Sequence, residues 1–151
     1  HRFLLYHIRI HHGLLQKIEI LLIMSMYFTD QLKLQLENMS HFKQSLEFEK
    51  EFRKLSKKYP SLKEDLERLE KVLQINPTGL GSNFIIMHHS PKAKIVKTRL
   101  ACKSLRDRSI RVIYAYHESI TTFVHIEIYF KGDKENEDRD RIKKYLEDIK
   151  V

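Results

Sequence analysis

Basic residues are concentrated in one segment of the chain, from His88 to Arg111. Eight lysines and arginines meet a single acid there, Asp107, so this segment carries nearly all of the net formal charge of +8. Cations at this density repel one another unless a polyanion lies beside them, and nucleic-acid phosphate is the usual one. The segment therefore predicts contact with RNA or DNA, with a solvated basic loop as the alternative. The eight are Lys92, Lys94, Lys97, Arg99, Lys103, Arg106, Arg108 and Arg111.

The cations alternate with apolar residues in two parts of this segment. Residues 94–100 and 108–116 both show the period of two that is typical of a strand. Because alternate side chains of a strand lie on the same face, we expect Lys97 and Arg99 to share one face. We expect Arg111 to point away from the apolar face of the next strand.

A third strand is predicted over residues 121–131. Its core-facing positions are Thr122, Val124, Ile126, Ile128 and Phe130. Its opposite positions are Phe123, His125, Glu127, Tyr129 and Lys131. If the three strands are neighbours, an imidazole, a carboxylate and a phenol lie beside the cations. Such a set could cut RNA without a metal, because a base removes the 2′-hydroxyl proton, cations stabilise the phosphorane and an acid protonates the leaving oxygen.

Three of these side chains also have a structural interpretation. Glu127 could form a cross-strand ion pair with Lys97 or Arg99. His125 could be a hydrogen-bonded histidine on a polar face. Tyr129 could serve only as a platform on which a base stacks.

Length and composition limit the classes of protein. A chain of 151 residues with 42% hydrophobic content suffices for one domain with its own core. The single cysteine, Cys102, excludes a disulfide framework and indicates a reducing compartment, so we predict a cytoplasmic location. Phosphate-binding glycine motifs and zinc-type ligand spacings are lacking from the sequence, and we predict neither cofactor nor metal.

Residues 1–38 differ from the rest of the chain. They are rich in histidine, and their apolar run at 18–28 is interrupted by Glu19 and Ser25, which makes it too short and too polar to span a bilayer. We interpret them as upstream sequence read in frame, a fusion or an atypical extension, with the functional domain at 39–151. The alternative is an amphipathic helix that packs on a partner or on the domain. Its stripe would be Leu14, Leu15, Ile18, Leu21 and Leu22.

The order of helices and strands in the domain can be predicted from the sequence. After a first strand at 41–46, Ser45 can cap a helix that Pro60 ends. Ser61 and Glu64 form the pattern of a capping box for a second helix. Three strands and a C-terminal helix follow. The sequence therefore predicts an α+β domain, with strand, helix and helix preceding a three-strand antiparallel meander, helices on one face of the sheet and the other face free.

A family resemblance is carried by four segments: FEKEFRKLSKKYP at 48–60, KTRLAC at 97–102, SIRVIYA at 109–115 and IEIYFKG at 126–132. Together with the element order, they resemble the RelE/ParE superfamily of bacterial and archaeal toxins, in particular its RelE-type members. The resemblance covers Met39 to about Lys150, and it implies a RelE-like fold.

The resemblance also implies a function and partners. RelE-type toxins are RNases that act on messenger RNA in the ribosomal A site and are silenced by a cognate antitoxin that wraps them. The expected partners are therefore an antitoxin, in a hetero-oligomer, with mRNA and the ribosome, and no membrane. Arg111 matches the arginine that contacts the scissile phosphate. The expected catalytic set is Arg111, Arg99, Lys131, Glu127, His125 and Tyr129. The expected RNA-binding set is Lys92, Lys94, Lys97, Lys103, Arg106, Arg108 and Lys134.

The sequence departs from the RelE pattern at two places. The connection between Arg99 and Arg111 is longer and more basic, and no tyrosine lies between Gly132 and Ile142, where RelE-type toxins place a catalytic one. Either Tyr129 or Tyr145 replaces it, another group transfers the proton, or nuclease activity is weak or lost. A ParE-like gyrase poison and a non-catalytic RNA-binding protein are the alternative functions.

Overall fold

A computed structural model describes the backbone of residues 2–37 and 41–150, and the side chains of 13–32 and 41–150. The chain divides into two compact units, His1–Met39 and Ser40–Val151.

The first unit is a single long helix, α1 (Arg2–Glu37). All side chains from residue 13 to residue 32 are exposed, although most of them are large and apolar. Helices with this many large apolar side chains are normally buried. Its exposed large apolar side chains are Leu14, Leu15, Ile18, Ile20, Leu21, Leu22, Ile23, Met24, Met26, Tyr27, Phe28 and Leu32.

The second unit contains one five-stranded sheet and three helices. Its elements in chain order are β1 (His41–Gln44), α2 (Leu46–Lys58), α3 (Leu62–Ile75), β2 (Phe84–His89), β3 (Lys94–Ala101), β4 (Ser109–His117), β5 (Thr122–Phe130) and α4 (Arg139–Ile149). The strand order is β1-β5-β4-β3-β2. β1 is parallel to β5, and the other neighbours are antiparallel. This arrangement confirms a mixed domain with one sheet.

The meander has four strands, so the prediction of three is wrong. The additional strand, β2, lies at the edge of the sheet and pairs with β3. Its sequence, FIIMHH, is four apolar residues followed by two histidines, and it lacks the alternation that identifies a half-buried strand. A shift in the pairing register between Ile86 and His88 breaks the period further.

One of the two predicted helix caps is present. The Ser45 hydroxyl accepts a hydrogen bond from the Phe48 amide at 3.1 Å and so caps α2. The prediction of a capping box at Ser61 and Glu64 is wrong, because the backbone of Ser61 is helical rather than extended and its side chain does not cap α3. The Ser61 hydroxyl instead donates to the buried carboxylate of Asp65 at 2.7 Å.

Helices pack on both faces of the sheet, which corrects the prediction of a single covered face. α2 and α3 bury one face, with Phe48, Leu66 and Tyr114 in that core. α4 buries part of the other face, where Ile142 packs with Ile113. The same face continues beyond α4 over the end of β3, the start of β4 and the end of β5, where the turn before α4 lies over it.

A β-bulge between β4 and β5 reverses the facing of the residues in β5. Ile113 pairs with Glu127 and Tyr114 pairs with His125, so Ile126 is the extra residue. One inserted residue moves every later side chain to the other face. The predicted alternation is therefore wrong. His125 faces the core beneath α2 and α3, whereas Glu127 faces the opposite side of the sheet.

Candidate functional site

A row of three polar side chains crosses the part of this face that lies beyond α4. Arg99 pairs with Arg111 across β3 and β4, and Arg111 pairs with Tyr129 across β4 and β5. The next row contains Lys97 and Glu127, separated by Ile113. Side chains directly opposite one another in neighbouring antiparallel strands lie about 5 Å apart at Cβ. The structure thus confirms that these five polar residues share one face.

Arg111 is a buried cation without a carboxylate. Only 8% of the residue is exposed, and its guanidinium donates a hydrogen bond to the Ser109 hydroxyl. It takes part in none of the ion pairs among the described residues. Burial, and then the neighbouring guanidinium of Arg99, lower the pKa of Arg111. A buried charge without a counter-charge is unfavourable, and an anion bound at this point would stabilise it.

Arg99 presents a second cation directly beside Arg111. Its side chain is exposed, and it too is missing from the ion pairs of the described ranges. Like charges directly opposite one another in a sheet are destabilising. Two guanidiniums side by side can, however, give several hydrogen bonds to one phosphate. The pair is therefore an arrangement suited to binding an anion.

Tyr129 completes the row with a buried phenol. The residue is 5% exposed, and its hydroxyl is buried near the Lys97 ammonium, without a partner at full hydrogen-bond geometry among residues 41–150. Burial raises the pKa of Tyr129, and the nearby ammonium of Lys97 offsets only part of that effect. The phenol consequently keeps its proton at neutral pH and can act as a hydrogen-bond donor or a general acid.

Lys97 is held by Glu137, a residue that the sequence did not single out for the site. The Lys97 ammonium donates to the Glu137 carboxylate at 2.7 Å. Burial alone would lower the pKa of Lys97, but the bond to Glu137 raises it overall. Burial alone would raise the pKa of Glu137, but the bond to Lys97 lowers it overall. Both groups are therefore charged at neutral pH.

A groove of about 550 Å³ adjoins this ion pair and runs between β2 and α4. Its floor is apolar, with Ile85, Met87 and Ile142, and Arg139 and Lys143 also line it. The site therefore continues beyond the row of strand residues into a groove that carries further cations.

Glu127 anchors the turn that precedes α4. Its carboxylate is buried and accepts the amide of Asp138 at 2.9 and 3.0 Å and the ammonium of Lys134 at 3.2 Å. The predicted pairing with Lys97 or Arg99 is wrong, since these contacts occupy the carboxylate. They leave it poorly placed to accept a proton from a substrate.

Replacing Glu127 with glutamine should lower the free energy of unfolding by about 1 to 2 kcal/mol, because one acceptor for the Asp138 amide and the charge facing Lys134 are lost. Urea denaturation would show this as a lower midpoint with an unchanged slope. The matched control is Glu135→Gln, at an exposed position of the same turn. Loss of RNA cleavage with full stability would contradict the anchoring role and favour a catalytic one.

His125 lies outside the candidate site. Its ring stacks on Phe48, with centroids 5.0 Å apart, beneath α2, and its Nε2 lies 3.0 Å from a carboxylate oxygen of Glu70. The sheet separates it from Arg111. The expectation that His125 contributes to the site is therefore wrong, and the bulge at Ile126 is the reason.

The remaining predicted cations are dispersed around the domain. Lys92 donates to backbone carbonyls at the end of α4, and Lys94 lies 3.9 Å from Glu118, both at the far end of the sheet from Arg111. Lys134 contacts Glu127. The exposed cations near the Arg111 end of the sheet are Lys103, Arg106 and Arg108 in the connection between β3 and β4, and Lys131 just beyond β5.

The basic connection between β3 and β4 is hydrogen-bonded to the start of α3. The Ser104 amide donates to the Ser61 hydroxyl and the Ser61 amide donates to the Ser104 hydroxyl, each at 2.9 Å. The Lys103 amide donates to the buried carboxylate of Asp65 at 3.3 Å. Arg106 adopts a left-handed backbone conformation. The backbone that carries the cations of the connection is therefore held in place by hydrogen bonds.

Tyr145 does not reach this end of the sheet. It lies on α4 and packs against the sheet beside His117, and burial raises the pKa of Tyr145 to about 12. His117 lies six positions along β4 from Arg111, which is about 20 Å at the rise of a strand. Of the two tyrosines proposed to replace the RelE residue, only Tyr129 is in the site.

Within the ranges 2–37 and 41–150, no helix is long and apolar enough to cross a membrane. The same described residues include no group of three or more histidine, cysteine, aspartate or glutamate side chains placed to hold a metal ion. Comparison of the chain with models of known protein families, with curated proteins and with solved structures finds no match.

Proposed function

We propose that the row Arg99, Arg111 and Tyr129 binds a phosphodiester of RNA and cleaves it, and that the chain is a RelE-type endoribonuclease toxin acting on mRNA in the ribosome. The observation that carries this proposal is Arg111, a cation more than nine-tenths buried without a carboxylate, directly beside a second arginine. A carboxylate partner would be expected if the role of this arginine were purely structural.

The side chains of the site suggest a role for each step of the reaction. Arg111 and Arg99 stabilise the charge of the phosphorane. Glu137 accepts the proton of the 2′-hydroxyl through Oε1, the oxygen that Lys97 does not occupy, and the ion pair that holds this carboxylate also lowers its pKa and makes it a weak base. The phenol of Tyr129 gives its proton to the leaving 5′-oxygen once bound RNA has displaced the side chains that cover its hydroxyl. The 2′-oxygen forms a bond to phosphorus as the bond to the 5′-oxygen breaks.

The ribosome, mRNA and antitoxin enter this proposal through the resemblance to RelE-type toxins. Two features support an extended RNA partner. Exposed cations flank the site on the connection between β3 and β4, and the groove beside Lys97 gives space for a neighbouring nucleotide. A cytoplasmic toxin that is inhibited by a wrapping antitoxin is the complete form of the hypothesis.

A second candidate function is RNA binding without cleavage. Two of the predicted proton-transfer groups favour it because they are not available to a substrate. Glu127 is hydrogen-bonded within the turn before α4, and His125 lies in the core on the opposite face of the sheet. Inducing the chain in cells and mapping transcript ends separates the two functions. New 5′ ends within coding sequences support the nuclease, whereas an unchanged transcript population with bound RNA supports the binding protein.

Binding to single-stranded RNA should weaken steeply with salt, and Arg99→Ala should make that dependence shallower by about 0.7 in the slope of log K against log salt. One phosphate contact is lost in that variant. Lys63→Ala removes an exposed cation from α3, on the other face of the sheet, and is the control that should leave the slope unchanged. Fluorescence anisotropy across a salt series measures both. Equal slopes for Arg99→Ala and the unsubstituted chain would contradict the location of the phosphate site.

A further inference from the structure

The exposed apolar side chains of α1 include a set with heptad spacing, which differs from the predicted stripe. Six positions from Leu14 to Leu32 follow alternating steps of four and three residues, which is the heptad spacing of a coiled coil. We call these six residues the α1 seam. They are Leu14, Ile18, Leu21, Ser25, Phe28 and Leu32. Five are large and apolar, all five are between 45% and 66% exposed, and the seam is about 27 Å long at the rise of a helix.

Charged residues are excluded from the seam. Among residues 13–32 only Lys17, Glu19 and Asp30 are charged, and none of them occupies a seam position. On the side of the helix opposite the seam, only the middle is apolar, because Glu19 lies before it and Asp30 after it. The seam therefore carries no charge from Leu14 to Leu32, as a helix-pairing face requires.

We propose that α1 pairs through this seam with α1 of a second copy of the chain. Self-pairing brings no like charges together, since Glu19 and Asp30 point away from the seam and Lys17, the charge that flanks it, would meet uncharged residues of the second helix in either direction of pairing. Symmetric pairing of identical chains is also the commonest form of association among soluble oligomers. The proposal is independent of the function of the second unit.

A lipid surface fits this helix less well. Helices that lie in a membrane interface carry a polar face rich in lysine and arginine. Residues 13–32 hold one such cation, Lys17. The short heptad run and the apolar side chains outside the seam, such as Ile20 and Ile23, are compatible with further association of pairs into a bundle.

Sedimentation of the full chain over a range of concentrations tests the proposal. The unsubstituted chain should have a mass of two chains or an even multiple, against 18.2 kDa for one. Leu21→Glu places a charge in the seam and should give the single-chain mass. Ile23→Glu is the matched control, because Ile23 is equally exposed, at 65% against 64%, but lies opposite the seam. It should retain the dimer.

A second measurement covers the case in which Leu21→Glu disrupts the helix itself. Chains with Leu21→Cys and Ser25→Cys are mixed and oxidised; the native Cys102 is fully buried. Parallel pairing should link like variants and antiparallel pairing should link unlike ones, and Ile23→Cys should link poorly. A monomer at every concentration, equal crosslinking at residue 23, or a monomer that sediments only with anionic phospholipid vesicles would each overturn the proposal.

Discussion

Replacing Arg111 with alanine should lower the rate of mRNA cleavage at least about 100-fold and abolish growth arrest. A guanidinium held on a central strand can donate two hydrogen bonds to the phosphate as charge develops, and alanine can donate none. Stability should change by no more than about 1 kcal/mol, because no carboxylate loses a partner when this cation is removed. Cleavage is measured with programmed ribosomes, and stability by urea denaturation of the same preparations.

The variant Arg111→Lys separates charge from geometry. Lysine keeps the charge but loses the planar fork, so it should restore only part of the activity. Lys144→Ala, at an exposed position on α4, is the control for removal of a cation elsewhere. If Arg111→Ala cleaved at the rate of the unsubstituted chain, the row would have no catalytic role. Binding-only function would then be the better description if RNA were still bound.

A single 2′-deoxy or 2′-O-methyl nucleotide at the cleaved position should block turnover completely, because the proposed nucleophile is the RNA's own 2′-hydroxyl. Binding of the modified RNA should be nearly unchanged, since the cations contact phosphates. The unmodified RNA should give a 2′,3′-cyclic phosphate, or the 3′-phosphate from its hydrolysis, and a free 5′-hydroxyl. Mass spectrometry of the fragments identifies these ends.

Cleavage by the proposed mechanism should also continue in EDTA. This is tested with a minimal RNA in the absence of ribosomes, because ribosomes themselves require magnesium. Products that carry 5′-phosphates, or turnover of the 2′-deoxy RNA, would rule out attack by the 2′-hydroxyl. The roles of Glu137 and Tyr129 would then be lost, while the phosphate contacts of Arg99 and Arg111 could remain.

The elements with a regular period could be read from the sequence. Alternation located β3 and β4 and the shared face of Lys97, Arg99 and Arg111, because nothing interrupts the ladder between these two strands. Apolar spacing with Pro60 and Ser45 located α2. In contrast, β2 could not be recognised, since an edge strand with four apolar residues in succession and an irregular register has no period of two.

Two features of the site depend on interactions that no local pattern encodes. The bulge at Ile126 leaves the composition of β5 unchanged but places His125 and Glu127 on opposite faces. Glu137 reaches Lys97 from forty positions away because the turn before α4 folds back over the sheet and is held there by Glu127. Another acid of that turn, Asp138, caps α4 by accepting the Arg141 amide at 3.0 Å.

The hydrogen bonds between the basic connection and α3 reduce the conformational entropy that the connection would lose when it binds a ligand. Flexible loops must lose conformational entropy when they close on a ligand, and this loss opposes association. Lys103 and Ser104 are already fixed through Asp65 and Ser61, so the backbone there has little freedom left to lose. In the proposed complex with RNA, only the long side chains of Lys103 and Arg106 would have to be ordered, and the connection would exchange one stretch of RNA for another without refolding.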